Sequence, residues 1–256
     1  MGDERDSHAT PMPTFLSMLL TTVSTIAYGA IAWRFLRSPS TPPRAVWITF
    51  RVTALAMILF MVVDALLVLK LYASLRQRFG HLVIASFVCA AIPEESFKAL
   101  LFVRLIKRGV FGLRGRDWIF GGVLIGLAFG GLESLGYAFM QHSLAEAAQR
   151  AAISVPGHAA YTGLCAAIVA SGAARPKLRI LVGLVLATTL HGVYDLSGLS
   201  IQLFDASTRP TATIVLRVVQ GAITFASIVA LWLIAKSVPQ RDDGLPFAER
   251  LKPAAA

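Results

Sequence analysis

The sequence predicts an all-α fold, a polytopic membrane bundle of about seven transmembrane helices. Three observations predict it. Of the 256 residues, 56% are hydrophobic and the mean hydropathy is +0.67. Only 15% are charged, against about 25% in a soluble domain. Apolar runs of roughly 20 residues, each long enough to cross a bilayer, recur along the whole chain. A soluble domain, a disordered chain and a coiled coil are all excluded by that distribution.

Residues 1–13 (MGDERDSHATPMP) read as a flexible polar tail. The tail is net acidic, whereas a signal peptide opens on a basic segment, so the first apolar run is expected to stay as a span. The spans are expected at Thr14 to Phe35, Trp47 to Lys70, Leu82 to Ile106, Trp118 to Met140, Ala151 to Ser171, Leu178 to Leu199, and Ala212 to Ala235. Punctuation such as SPSTPPR at 38–44 and RPK at 175–177 separates them. The transmembrane domain is therefore 14–236, and 237–256 is a second polar tail. Trp33, Trp47, Trp118 and Trp232 fall near span ends and read as interfacial anchors. Cys89 and Cys165 lie inside apolar runs and offer no metal knuckle.

The net charge of +10 has a topological reading. With the N-terminus outside, 15 basic residues fall in cytoplasmic segments and 6 in outer ones. Basic loops stay in the cytoplasm, so an N-out, C-in orientation is expected, with the 237–256 tail cytoplasmic. The basic loop from Lys70 to Gly80 runs against that count. No nucleic-acid partner is expected, because no soluble segment is long enough to fold around a strand.

A charge at mid-bilayer costs several kcal/mol unless it is paired or hydrated. The charges retained inside spans are therefore the candidates for function. In CAAIPEESFKALLF, Glu94 and Lys98 are four apart and share a helix face. Glu95 points about 100° away from Glu94, and Pro93 suits a first turn or a kink. In GLAFGGLESLGYAFM, Phe129, Glu133 and Tyr137 line one face, among glycines that let helices approach closely. In VPGHAAYTGLCAA, His158 lies near the outer end. In LATTLHGVYDLSGL, His191 and Asp195 are four apart, so the carboxylate can fix the imidazole tautomer. Arg51, Asp64 and Arg217 lie in other spans and read as snorkelling or paired structural charges.

Counted from the outer ends of their spans, Glu133 lies roughly 10 Å deep, His158 and His191 roughly 12 Å, and Glu94 and Glu95 roughly 20 Å from Leu82, less if that helix starts outside the bilayer. Four consecutive spans thus offer carboxylates and imidazoles at similar depth, which points to one shared polar chamber in the outer half of the bilayer. Two schemes of hydrolysis suit it. Two His with one or two Glu can hold zinc, with a position left for water. Alternatively a buried Glu acts as general base on water and the His residues stabilise the oxyanion. HExxH and GxSxG are both absent. Carboxylates and His in spans also serve proton relays, so a proton-coupled transporter is an alternative, as is a non-catalytic scaffold on the same fold.

These segments resemble the PrsW family of intramembrane proteases. EESFK at 94–98 is similar to its EExxK motif, FGGLESLGY at 129–137 to its FxxxExxxY, and His158 and HGVYD at 191–195 to its two later His motifs. The resemblance covers roughly 82–199. The wider clan of CAAX prenyl proteases and bacteriocin-immunity membrane proteins is similar in pattern, but usually has His where this chain has Glu133. The resemblance implies a multi-pass cell-membrane endopeptidase acting on a membrane-anchored protein, such as an anti-sigma factor in site-1 cleavage and bacterial stress signalling. It implies catalytic roles for Glu94, Glu95, Glu133, His158 and His191, with Lys98, Asp195, Tyr137 and Phe129 in support. If zinc is the cofactor, Glu95, Glu133, His158 and His191 are the implied ligands; a glutamic mechanism needs none.

Overall fold

The structure is a computed structural model that describes residues 11–38, 41–72, 79–112, 115–171, 175–203 and 209–238. Residues 1–10, most of the C-terminal tail and the basic segment 73–78 lie outside the described residues. So does the Asp64 side chain. The elements are helices throughout: α1 (Pro11–Phe35), α2 (Arg44–Tyr72), α3 (Phe79–Val83), α4 (Ile92–Lys107), α5 (Gly115–Gln141), α6 (Leu144–Gln149), α7 (Val155–Ala170), α8 (Pro176–Leu203) and α9 (Pro210–Ser237). Two π-helical stretches, Ile84–Ala91 and Arg150–Ser154, join α3 to α4 and α6 to α7 without a break in the helical backbone.

Among the described residues, five helical segments are long and apolar enough to cross a membrane: Met12–Phe35, Gly115–Gln141, Leu144–Ala170, Pro176–Ile201 and Pro210–Ser237. The stretch through α4 is not among them, because Glu94, Glu95, Lys98, Arg104 and Lys107 reduce its hydropathy. The multi-pass membrane class expected from composition is thus what the chain folds into.

Both π-helical stretches have the same local cause. Proline has no N–H to give and its ring crowds the carbonyl four residues back. Pro93 and Pro156 occupy the first turns of α4 and α7. The turn before each proline is wound wider, as a π-helix. Of the first turn or kink expected at Pro93, the structure has the first turn of α4, with a widened turn before it. Pro93 immediately precedes Glu94 and Glu95, and Pro156 lies two residues before His158.

Helices α5 and α7 form the centre and pack on each other more extensively than any other pair. α1, α2 and α4 cover α5, while α8 and α9 cover α7. The close α5–α7 approach requires glycine. A Cβ on Gly122 would come 2.5 Å from that of Ala166, and one on Gly130 would come 2.7 Å from the His158 ring. Real Cβ atoms do not approach so closely, so the spacing of four along α5 gives a groove in which α7 lies.

At the Arg34–Ser38 end of the bundle, Ser38 Oγ donates to the buried Asp117 Oδ1 at 2.5 Å, and Thr41 Oγ1 donates to the same oxygen. These bonds tie the α1–α2 connection to the first turn of α5. Trp47 and Trp232 are exposed, as interfacial anchors are, but Trp118 is buried and its indole donates to the Gly112 carbonyl at 3.2 Å. Its apolar ring is core packing here.

Candidate active site

The four motif segments meet. α4 brings Glu94, Glu95 and Lys98, α5 brings Glu133, α7 brings His158, and α8 brings His191 and Asp195. Their side chains form a continuous chain of polar contacts across four helices. Lys98 Nζ donates to Glu95 Oε1 at 2.7 Å and to His158 Nδ1 at 2.9 Å. His158 Nε2–H, on the other side of the ring, donates to Glu133 Oε2 at 2.9 Å. Glu95 Oε1 also accepts from His191 Nδ1 at 2.9 Å. His191 Nε2 lies 3.2 Å from Asp195 Oδ2.

An Arg150 guanidinium ends the chain on the α5 side, with Nη2 2.8 Å from the same Glu133 Oε2. Its Nε donates to Ser134 Oγ at 3.3 Å, and the guanidinium lies 3.8 Å from the Tyr137 ring centroid. Lys98 is fully buried, 4.2 Å from the Phe129 ring centroid. Phe129 in turn packs against His158 at 5.7 Å. Tyr161 stacks on His191 with ring centroids 5.9 Å apart. A buried charge is tolerable only when it is paired and hydrogen-bonded, and this chain meets that condition for every member but one.

That member is Glu94. Its Oε2 is buried and, among the described residues, makes no hydrogen bond. It faces Lys98 Nζ at 3.5 Å and His191 Nε2 at 3.8 Å, beyond hydrogen-bond range. Glu95, its neighbour in sequence, is consumed by Lys98 and His191. The two adjacent carboxylates thus have different environments, because successive helical residues point about 100° apart.

A cation could be held beside Glu94, with His158 exchanging its hydrogen bond to Lys98 or to Glu133 for it. Glu94, His158 and His191 each offer a ligand atom, and these atoms lie within 4.8 Å of one another. Mixed oxygen and imidazole donors suit zinc and its neighbours. The charge balance allows it: once His191 gives up the Nε2 proton that faces Asp195, four carboxylates face two cations, and a divalent ion would neutralise the excess. Glu94 Oε2 is the orphaned atom that such an ion would satisfy. The close grouping contains Glu94, whereas the ligand set implied by resemblance has Glu95 and Glu133, which here are bound by Lys98 and Arg150.

Exposure divides the site by depth. Glu133 and Asp195 keep 23% and 24% of their side-chain surface, Glu94 13% and Arg150 12%. His158, His191, Glu95 and Lys98 are buried. Arg51 is exposed on α2, apart from this cluster.

Sequence reasoning missed Arg150 by starting the fifth span at Ala151. The helix starts at Leu144, seven residues earlier. The signal was present: Ser143 and Glu146 have the spacing of a capping box, and Ser143 Oγ accepts from the Glu146 amide at 3.2 Å. With the helix begun there, Arg150 is an intrahelical charge in need of a partner.

Comparison with protein-family models finds a match to the PrsW family intramembrane metalloproteases over residues 41–232. Comparison with curated proteins and with solved structures finds no match. The match spans three quarters of the chain and contains all four motif segments together with Arg150. The chain belongs to the PrsW family of intramembrane proteases.

Proposed function

We propose that the chain is a multi-pass endopeptidase whose Glu94-centred chamber hydrolyses a peptide bond of a membrane-anchored protein. The observation that carries this reading is the orphaned Glu94 Oε2, beside a fully paired framework of Lys98, Glu95, His158, Glu133 and His191. A buried carboxylate oxygen without a partner calls for an explanation, and beside this framework a water or substrate atom supplies one.

In the chemistry proposed, Glu94 Oε2 takes a proton from water as the water oxygen attacks the peptide carbonyl carbon. The C–N bond then breaks, and Glu94 returns the proton to the leaving amine. Glu95 holds His191 by Nδ1, which keeps Nε2 turned towards Glu94 and Asp195. Glu133 and Lys98 hold the two nitrogens of His158. Glu94, His158 and His191 are the residues that would hold a divalent cation. Bound there, it would polarise the carbonyl and acidify water.

The topology proposed is seven spans with the N-terminus outside, α2 and the 79–107 stretch completing the five apolar segments. Along their helices Arg150, Glu133 and Asp195 lie about 9–12 Å from the Gln141, Leu144 and Leu203 ends, and His158 and His191 about 18–21 Å. The more exposed members are nearer those ends, which supports a chamber opening towards them. With N-out topology that is the outer half of the bilayer, suited to site-1 cleavage of a substrate such as an anti-sigma factor.

The test is N-terminal mapping of membranes from cells producing the wild type, Glu95→Gln or His191→Ala at matched levels. New termini in the wild type alone are expected. Identical termini in all three would overturn the reading. Metal analysis combined with chelation then assigns the mechanism: stoichiometric zinc lost together with activity selects the metal scheme, and full activity without metal selects the glutamic one.

A further inference from the structure

The family motifs quoted above end at Tyr137 and resume at His158, so they assign nothing to Arg150. We propose that Arg150 is a positioning residue of the active site, which clamps Glu133 onto His158. One oxygen, Glu133 Oε2, receives Arg150 Nη2 at 2.8 Å and His158 Nε2 at 2.9 Å. Both donors come from the same helical run, residues 144–170.

Regular α-helix would not place them so. At 3.6 residues per turn, side chains eight residues apart point about 80° away from each other. The π-helical stretch Arg150–Ser154 lies between them, and its wider turn brings Arg150 round to the face that carries His158. The turn caused by Pro156 is therefore what lets one helix grip one carboxylate at two points.

Glu133 needs this grip. It is the carboxylate at the chamber mouth, 23% exposed, on a side chain with free torsions. With His158 alone it would be held by one hydrogen bond. Arg150 is itself fixed from α5, by Ser134 beside Glu133 and by Tyr137 one turn on. The guanidinium suits the task because its planar fork can engage Glu133 and Ser134 together. Glu133 then holds the His158 ring with Nδ1 turned to Lys98, next to Glu94.

The experiment uses the full chain, labelled with 15N-histidine and reconstituted in lipid nanodiscs without metal or substrate. The His158 signal is assigned by its loss in His158→Gln. The expected wild-type signature is a hydrogen-bonded Nε2–H proton that exchanges slowly with water. Arg150→Gln should lose that protected proton at a melting temperature near that of the wild type, and Arg150→Lys should restore most of it. Arg150→Met, which keeps the stem against Tyr137, serves in place of Arg150→Gln should the latter not fold. A folded Gln or Met variant with the wild-type Nε2–H signal would overturn the proposal. Failure of every variant to fold would do so too, by making Arg150 a folding element.

The proposal rests on the peptidase reading only for its kinetic consequence. On a substrate identified by the terminus mapping, kcat should fall about 10–100-fold with KM within about twofold. Absence of any cleavage by the wild type would overturn the peptidase reading and leave the histidine signature to decide the role of Arg150.

Discussion

The central helices and the outer helices are built on opposite rules. In the Gly115–Gln141 and Leu144–Ala170 segments, 78% and 83% of the most apolar window is buried, with mean hydropathies of 1.6 and 1.4. In α9 the hydropathy is 2.1, yet only 28% of its window is buried. Among these five membrane-length segments the most apolar is thus among the least buried, because its solvent is lipid. Lipid provides no hydrophobic drive for helices to associate, so small residues and polar contacts hold the interior together. Gly122, Gly126 and Gly130 admit α7 to α5, and the Lys98-centred chain links α4, α5, α7 and α8. In this protein the packing centre and the chemical centre are the same place.

That contrast can be broken from the inside. Lys98→Met removes the cation that contacts Glu95, Glu94 and His158 and leaves a carboxylate buried without its partner. A loss of about 3–5 kcal/mol in unfolding free energy is expected, measured by denaturant titration in mixed micelles. An unchanged midpoint would show that the polar chain does not hold the bundle. Gly130→Val tests the groove instead of the charge. The added atoms meet the His158 ring, and overpacking of this kind costs about 1–3 kcal/mol. Here the same denaturation should show a smaller shift, accompanied by a displaced His158 signal in the labelled protein. Val218→Ala and Phe225→Leu, on the exposed face of α9, should change stability by no more than about 0.5 kcal/mol. A large effect there would mean that this face is covered by protein and not by lipid.

The same division explains what could be read from the sequence. Five of the expected spans and the motif segments that meet were legible because each depends on spacing along one helix. Glu94 with Lys98 and His191 with Asp195 are pairs four apart, and the structure places both pairs on one face. The roles of neighbouring carboxylates were not legible, since Glu95 is claimed by Lys98 and by His191, which is 96 positions away. That depends on how α8 docks on α4. Arg150 falls outside the expected span for a local reason: the long apolar run begins at Ala151, whereas the Ser143 cap starts the helix at Leu144. The π-helical turns were legible in part, as Pro93 marked a distortion, but its wide form depends on how the backbone absorbs the lost hydrogen bond.

The central claim is that Glu94, the carboxylate left without a hydrogen bond, is the group that meets water. The most direct test is the cleavage rate of the purified, reconstituted Glu94→Gln variant on a substrate identified by terminus mapping. The variant preserves shape, and its folding is checked by melting temperature. A loss of about 10²–10⁴-fold in rate at wild-type stability is the predicted result. Cleavage at the wild-type rate by a folded Glu94→Gln variant would contradict the account.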